Sequence, residues 1–540
     1  MKEDGSEIES AFCFENFFLC RFGPNRNSLH VLTLNDSENL QIMSGLIRRA
    51  TSFTGRKAIK SSGRTYTFEH LLQIVDIISS TLLDSEGDLK EKRIAMLVEP
   101  GFEYVATQWA IWQAGGVAVP LCDAHPIESL KYYVSQSESE TLLISSKYVS
   151  IGEALSAAAD LSVLVVEEIL LGTALANLEF PRINPERMAM ILYTSGTTNL
   201  PKGVVSTHRN IQSQIKTLVE AWEWSQEDII LNVLPLHHVH GIINVVSCAL
   251  WSGACVQFLP KFSAKEVWRR IFNGELTVFM AVPTIYFKLI KFWESSDEIA
   301  RAKMSEAASK MRLMVSGSAA LPVSVLAKWK EITGHTLLER YGMTEIGMGL
   351  SNSYREERVP GHVGKPLPGV EIRLVDENEN QVSEGEPGEI QVKSNSVFKE
   401  YWRNQEATQE AFVDGWFKTG DIARINDGYY RILGRNSVDI IKSGGYKLSA
   451  LEIEEALRQH PEISECAVVG LPDEEWGEVV CAGIVCMNGE TPPDLEDFLS
   501  NRLASYKVPR KYLSLDDLPR NTMGKVTKKE VLRLFEATTQ

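Results

Sequence analysis

The sequence predicts an α/β protein. It should have a large N-terminal domain of parallel βαβ-type sheets, a β-rich subdomain, and a small α+β C-terminal domain. Three observations carry this. Strand and helix signals alternate from about residue 55 to 350, which implies parallel sheets covered by helices. From about residue 361, glycine and proline become frequent and the strands short and alternating. After Gly434-Arg435 the texture changes again, to one helix, one apolar strand and a lysine-rich tail.

Taken in order, residues 94–98 (Ile-Ala-Met-Leu-Val) read as a buried strand. Phe102–Gln113 is helix-like, Gly115-Gly116 stops it, and Val117–Pro120 is the next strand, which completes one βαβ unit. Residues 188–193, 277–282 and 312–315 are further short apolar strands. Gly364-Lys365-Pro366-Leu367-Pro368-Gly369 opens the β-rich stretch, followed by alternating strands at 371–375 and 389–392. Ala450–Leu457 is helix-like and 466–471 a strand. A length of 540 residues suits three or four folding units, and composition places a boundary near 435–438.

With 44% apolar and 23% charged residues the chain is an ordinary globular protein. No run of 18 apolar residues occurs, so no transmembrane helix is expected. The 55 basic and 71 acidic residues leave a net charge of −16, which argues against a nucleic-acid partner. A local basic pocket for a small anion stays compatible with that surface. The eight cysteines form no CxxC pair and several sit in apolar runs, as buried thiols in a reducing compartment would. Residues 1–10 hold four acids and one lysine, unlike a secretory signal, and the leader is too acidic for a typical transit peptide. The expected location is cytoplasmic, with mitochondrial as the alternative.

The densest motif is Tyr193-Thr194-Ser195-Gly196-Thr197-Thr198-Asn199-Leu200-Pro201-Lys202-Gly203, after the strand at 188–193. Hydroxyls and backbone N–H groups freed by glycine make a nest for phosphate oxygens, and Lys202 adds a point charge. It is neither a Walker A loop nor a dinucleotide fingerprint. A second constellation, Glu339-Arg340-Tyr341-Gly342-Met343-Thr344-Glu345, follows a strand-like stretch at 335–338. Its ring can stack on a purine, its hydroxyl reach a phosphate, and its carboxylate hold Mg²⁺ against phosphate oxygens. The third is Trp416-Phe417-Lys418-Thr419-Gly420-Asp421, then Gly434-Arg435, where an Asp after a Thr-Gly turn can accept two ribose hydroxyls. Alone, each of the last two fits ordinary packing and surface residues.

In this order, and with the closing Leu518-Pro519-Arg520-Asn521-Thr522-Met523-Gly524-Lys525, the motifs resemble the adenylate-forming superfamily of acyl-CoA synthetases, luciferases and adenylation domains. The resemblance covers about residues 45 to 535. Within the superfamily, 234–241 (Leu-Pro-Leu-His-His-Val-His-Gly), Val282-Pro283-Thr284, Ser316-Gly317-Ser318-Ala319 and 338–345 look like malonyl-CoA synthetases. Many relatives have a second glycine where Ser318 stands and Gln-Gly where Glu339-Arg340 stand. Asn199 replaces a usual glycine, and asparagine tolerates positive φ better than most residues.

The resemblance implies an N-terminal extension at 1–44, a large adenylate-forming domain at 45–435 with its β-rich subdomain at 361–435, a hinge at 436–438, and a small mobile domain at 439–540. Its implied co-substrates are ATP and CoA, with Mg²⁺, and its implied acid is malonate. Methylmalonate or another short or medium acid is the alternative. Thr194, Ser195, Gly196, Thr197, Thr198 and Lys202 would cradle the phosphates. Tyr341 would stack near adenine with Gly317, Arg340, Gly342 and Met343 beside it. Asp421 and Arg435 would hold the ribose, Thr344 would touch the α-phosphate, and Glu345 would hold Mg²⁺. Lys525 would reach the α-phosphate and the attacking carboxylate. His238 would guard the junction of acyl pocket and thiol tunnel, and Gly444-Gly445 would line the thioester-forming side. Ser318, Met348 and Gly349 would line the acyl pocket, although core packing equally explains the last two.

His237, His238 and His240 cluster after a proline, and two could face the acyl group, although a satisfied histidine near a helix start explains any one of them equally. A cation should meet the distal carboxylate, and Arg269, Arg312, Arg340 and Arg358 stand unranked for it. Two other classes are disfavoured. A stand-alone adenylation domain would need a carrier-protein acceptor, and none is expected here. A dead binding module would be expected to lack Lys525, Glu345 or Asp421, and all three are present.

Overall fold

The computed structural model describes residues 45–84, 86–172, 179–194, 200–436, 438–444, 446–520 and 526–539. The expected N-terminal extension, Ser195, Gly196, Thr197, Thr198, Asn199, Ser437, Gly445 and Lys525 lie outside the described residues.

Four sheets organise these residues. A seven-stranded sheet is parallel through Ser162–Val165, Thr141–Ile144, Arg93–Leu97, Val117–Pro120 and Met188–Thr194. It ends with Lys202–Thr207 and Glu400–Tyr401, both antiparallel. A nine-stranded sheet runs parallel from Lys57–Ser61 through Cys255–Phe258, Ile229–Asn232, Val278–Ala281 and Leu313–Ser316 to Leu338–Met343. Helix Phe102–Gln113 has the bounds its apolar composition suggests. All but Glu103 are buried, and Trp109 and Trp112 sit in the largest core cluster. Five antiparallel strands between Val370 and Arg435 form the third sheet.

The fourth sheet, of Ile440–Ser443, Tyr446–Ser449, Ile463–Asp473, Gly477–Cys486 and Lys511–Ser514, carries its own two core clusters. Helix Ala450–Leu457 packs on it, started by Ser449, whose hydroxyl accepts the Glu452 N–H. Among the described residues no helix is long and apolar enough to cross a membrane. Cys248, Cys466, Cys481 and Cys486 are buried free thiols, while Cys122 and Cys255 are only half-buried.

Two local readings need correction. The strand expected at 335–338 is Leu338–Met343, so Glu339 to Met343 lies within it and not after it. Short-range apolarity marks where a strand is buried. The parallel partner Leu313–Ser316 holds only Leu338 and Glu339, and the antiparallel strand Gly347–Ser351 carries the strand on to Met343. Likewise Thr419-Gly420-Asp421 is not a turn but a bulge inside the strand Trp416–Asn426. Gly420 at φ +73° permits it, Thr419 Oγ1 donates to the Ile390 carbonyl at 2.8 Å, and Asp421 N–H donates to Thr419 Oγ1 at 3.1 Å.

Candidate active site

Parallel strands bring their carboxyl ends to one edge, and in open α/β sheets ligands bind there. In the nine-stranded sheet, Leu313–Ser316 delivers Gly317 and Ser318 to that edge, and Leu338–Met343 delivers Thr344 and Glu345. A Cβ on Gly317 would lie 2.5 Å from Nε and 2.6 Å from Cζ of Arg340, so only glycine lets the guanidinium pass. Ser318 holds φ +70°, a conformation that strains a residue other than glycine. Its hydroxyl lies 3.1 Å from His240 Nδ1 and accepts from Arg340 Nη2 at 3.4 Å.

Arg340 is 4% exposed, and burial pulls its pKa down to about 9. Its Nε has no hydrogen-bond partner among the described residues. The other candidate arginines are engaged elsewhere. Arg312 binds Asp228 through Nε and Nη2 at 2.6 and 2.7 Å. Arg269 pairs with Glu266 and Glu275 on the surface. Arg358 donates to the Thr336 and Ser353 carbonyls. Among the described residues no carboxylate pairs with Arg340, so it is a buried cation without an acidic partner there.

Beside it, Tyr341 Oη donates to Asp421 Oδ2 at 2.6 Å and Arg435 Nε to Asp421 Oδ1 at 3.2 Å. Asp421 and Arg435 are direct cross-strand partners. Burial raises the Asp421 pKa, and Arg435 and Tyr341 oppose that rise. Glu345 is 6% exposed, and burial pushes its carboxyl up against a hydrogen bond of 3.0 Å from Tyr401 Oη. Lys202 Nζ stands 5.0 Å from the Tyr401 ring centroid, and Thr194 is the cross-strand partner of Lys202. Thr194 and Lys202 therefore flank residues 195–199 at the base of an antiparallel pair.

Sequence reasoning missed Tyr401. It lies in a two-residue strand, and its pairing with Val204, with the Phe398 N–H donating to the Glu345 carbonyl at 2.7 Å, brings it to Glu345. His240 lies against Ser318. The His238 ring lies tilted against His237 with ring centroids 4.1 Å apart, and His237 meets His125 edge-on. Burial, with His238 and His125 nearby, holds the His237 pKa down to about 2, so it stays neutral at physiological pH. Met348 is 2% exposed and packs on Gly342, and Gly349 faces Ile346 and Ile372, as core residues do. Gly444 at φ +56° lies under the Trp476 ring.

Gly317→Ala is expected to cost about 1–3 kcal/mol of stability through overpacking against Arg340. Urea midpoints read this, with Gly55→Ala as control because nothing lies within 4 Å of its Cβ position. Equal midpoints for the two variants would show that Arg340 gives way without cost.

The AMP-binding enzyme model matches residues 46–402 and the AMP-binding enzyme C-terminal domain model matches residues 452–525. Fold and motif order agree with both, and the chain belongs to the AMP-binding enzyme family, whose members form adenylates. Its relatives include the mitochondrial malonate–CoA ligase ACSF3 of Mus musculus, 46% identical over 83% of this chain and 82% of that one. Malonate–CoA ligase of Arabidopsis thaliana is 40% identical over 94% and 91%. Among solved structures, ATP-bound MatB from Rhodopseudomonas palustris superimposes with a TM-score of 0.85 at 32% identity, covering 92% of this chain and 100% of that one.

Proposed function

We propose that this chain is an ATP-dependent malonate–CoA ligase. The observation that carries the reading is Arg340, a buried guanidinium with no acidic partner among the described residues, beside Ser318 and His240. A malonate-type acid has one carboxylate to activate and a second to be read. Arg340 would meet the second, with the Ser318 hydroxyl fixing the guanidinium and sharing its remaining proton with His240 or the bound acid. The two malonate–CoA ligase relatives support the same reading.

The chemistry follows from the leaving group. A carboxylate cannot expel oxide, so one of its oxygens attacks the α-phosphorus of ATP and pyrophosphate departs. The CoA thiolate then attacks the acyl carbon and AMP departs. No protein nucleophile is required, and catalysis is positioning plus electrostatics. Thr194, Lys202 and residues 195–198 would hold the phosphates. Asp421 and Arg435 would hold the ribose and Tyr341 the adenine. Thr344 and Lys525 would meet the α-phosphate. Glu345 fits Mg²⁺: it is a buried carboxylate that, among the described residues, accepts a side-chain hydrogen bond from Tyr401. Magnesium takes one or two carboxylates plus phosphate oxygens, and there it would neutralise triphosphate charge.

Because Lys525 and Gly444-Gly445 would serve opposite steps from one unit, residues 439–540 would turn on a hinge at 436–438, with 45–435 as the fixed domain and 361–435 its β-rich part. Gly445 and His238 would line the thiol path. For location, the relatives from mouse, cow and human named as mitochondrial support the mitochondrial alternative over the cytoplasmic one.

The test is ATP-dependent thioester formation on malonate, methylmalonate, acetate and octanoate, for wild type and Ser318→Gly. Malonate should lead. Glycine relieves the strained φ, so the variant should fold at least as well. Its malonate kcat/KM should fall by roughly ten- to a hundred-fold, the value of a hydrogen bond to a charged group. Octanoate preferred by wild type would overturn the substrate, and methylmalonate in the lead would establish the alternative.

A further inference from the structure

Residues 520 and 526 form an antiparallel bridge, and the Thr527 N–H donates to the Pro519 carbonyl at 2.8 Å. Arg520 Nη2 also donates to Glu465 Oε2 at 2.5 Å. The chain on either side of 521–525 is thus tied to the C-terminal sheet. Lys528 opens helix Lys528–Thr539 just beyond. Its ammonium is buried between two carboxylates, at 2.6 Å from Asp439 Oδ1 and 2.7 Å from Glu454 Oε1.

Both partners are themselves fixed. Glu454 also accepts the Val468 N–H at 2.9 Å and Arg458 Nη2 at 3.0 Å, so it is locked to the strand and helix of the C-terminal core. Asp439 faces the other way. Its Oδ2 accepts the Arg435 N–H at 3.0 Å, and its own N–H donates to the Arg435 carbonyl at 2.8 Å. A Cβ on Gly434 would stand 2.3 Å from the Asp439 Cβ, so that glycine lets the carboxylate side chain close on the turn. Asp439 therefore has one oxygen on the residue before 436–438 and one on Lys528. Arg435 in turn donates to Asp421.

We propose that Lys528 is a positioning residue for adenylate formation: its ammonium, held by Glu454, grips Asp439 and so sets the chain that carries Lys525 in register with the hinge. The inference rests on the reading of Lys525 as the adenylation lysine. A rotation about 436–438 must break or remake the Asp439 bond to Arg435, whereas Lys528, Glu454 and Asp439 travel together. Lys528 keeps the Asp439 charge compensated in either orientation. Burial disfavours the ammonium, but Glu454 and Asp439 outweigh it and raise its pKa, so it stays charged.

The test uses the full chain and two assays, malonate-dependent ATP–pyrophosphate exchange and thioester formation from supplied malonyl-adenylate. Lys528→Met should lower the exchange kcat by about ten- to a hundred-fold, the scale of a small misplacement of a reacting group, with KM for ATP little changed. Thioester formation should stay near wild type, and Lys528→Arg should restore exchange. Asp439→Asn keeps the shape and should give the same split, which carries the test if Lys528→Met does not fold. Equal loss in both half-reactions, or none in either, overturns the inference. Lys525→Ala is run beside them. If it spares exchange, the reading of Lys525 is what failed. If it abolishes exchange while Asp439→Asn and a folded Lys528→Met leave it intact, the inference alone fails.

Discussion

Lys525→Ala is expected to slow malonyl-adenylate formation by ~10²–10³ or more, the range for losing a preorganised charge that acts mainly in the transition state. CoA attack on supplied malonyl-adenylate should continue near the wild-type rate. The asymmetry has a physical origin. In the first step a carboxylate approaches a triphosphate, and like charges must be neutralised where they meet. In the second a thiolate attacks an acyl carbon whose leaving group, AMP, is already formed. Pyrophosphate exchange and single-turnover thioester formation measure the two separately. Equal losses in both would mean that Lys525 supports the fold or a shared state.

Arg340→Met is expected to lower malonate kcat/KM by ~10²–10³, since truncating one partner of a buried charge pair costs about 2–5 kcal/mol. Acetate, which has no second carboxylate, should lose little. The stability cost should be small. No carboxylate among the described residues pairs with Arg340, so the variant leaves none of these buried acids unpartnered. If Arg340→Met depresses malonate and acetate alike, the guanidinium serves the nucleotide.

The local readings that succeeded rest on interactions within a few residues. Phe102–Gln113, Val117–Pro120 and Ala450–Leu457 have the bounds expected of them, because apolar runs and glycine stops act over one turn or one strand. The texture change near 435 coincides with the last strand of the third sheet, Tyr429–Arg435, and the fourth begins at Ile440. The order of motifs was legible too, since residue types such as Thr, Ser, Gly and Lys in 194–203 carry their chemistry wherever the chain runs.

The extent of Leu338–Met343 and the bulge at Gly420 were not legible, because pairing with a partner strand sets both. The choice among four arginines was also beyond the sequence. Arg312 precedes one strand and Arg340 lies within the next, yet Asp228 neutralises the first, while Gly317 admits the second to a slot with no acid among the described residues. Tyr401 on Glu345, His240 on Ser318 and Lys528 on Asp439 join residues 56, 78 and 89 positions apart. The sequence by itself determined which functional groups the chain carries and which segments are strand or helix, because those follow from side-chain chemistry and short-range periodicity. Only the tertiary structure decided which groups meet and which charges lack partners, because burial and ion pairing depend on distances across elements that packing alone brings together.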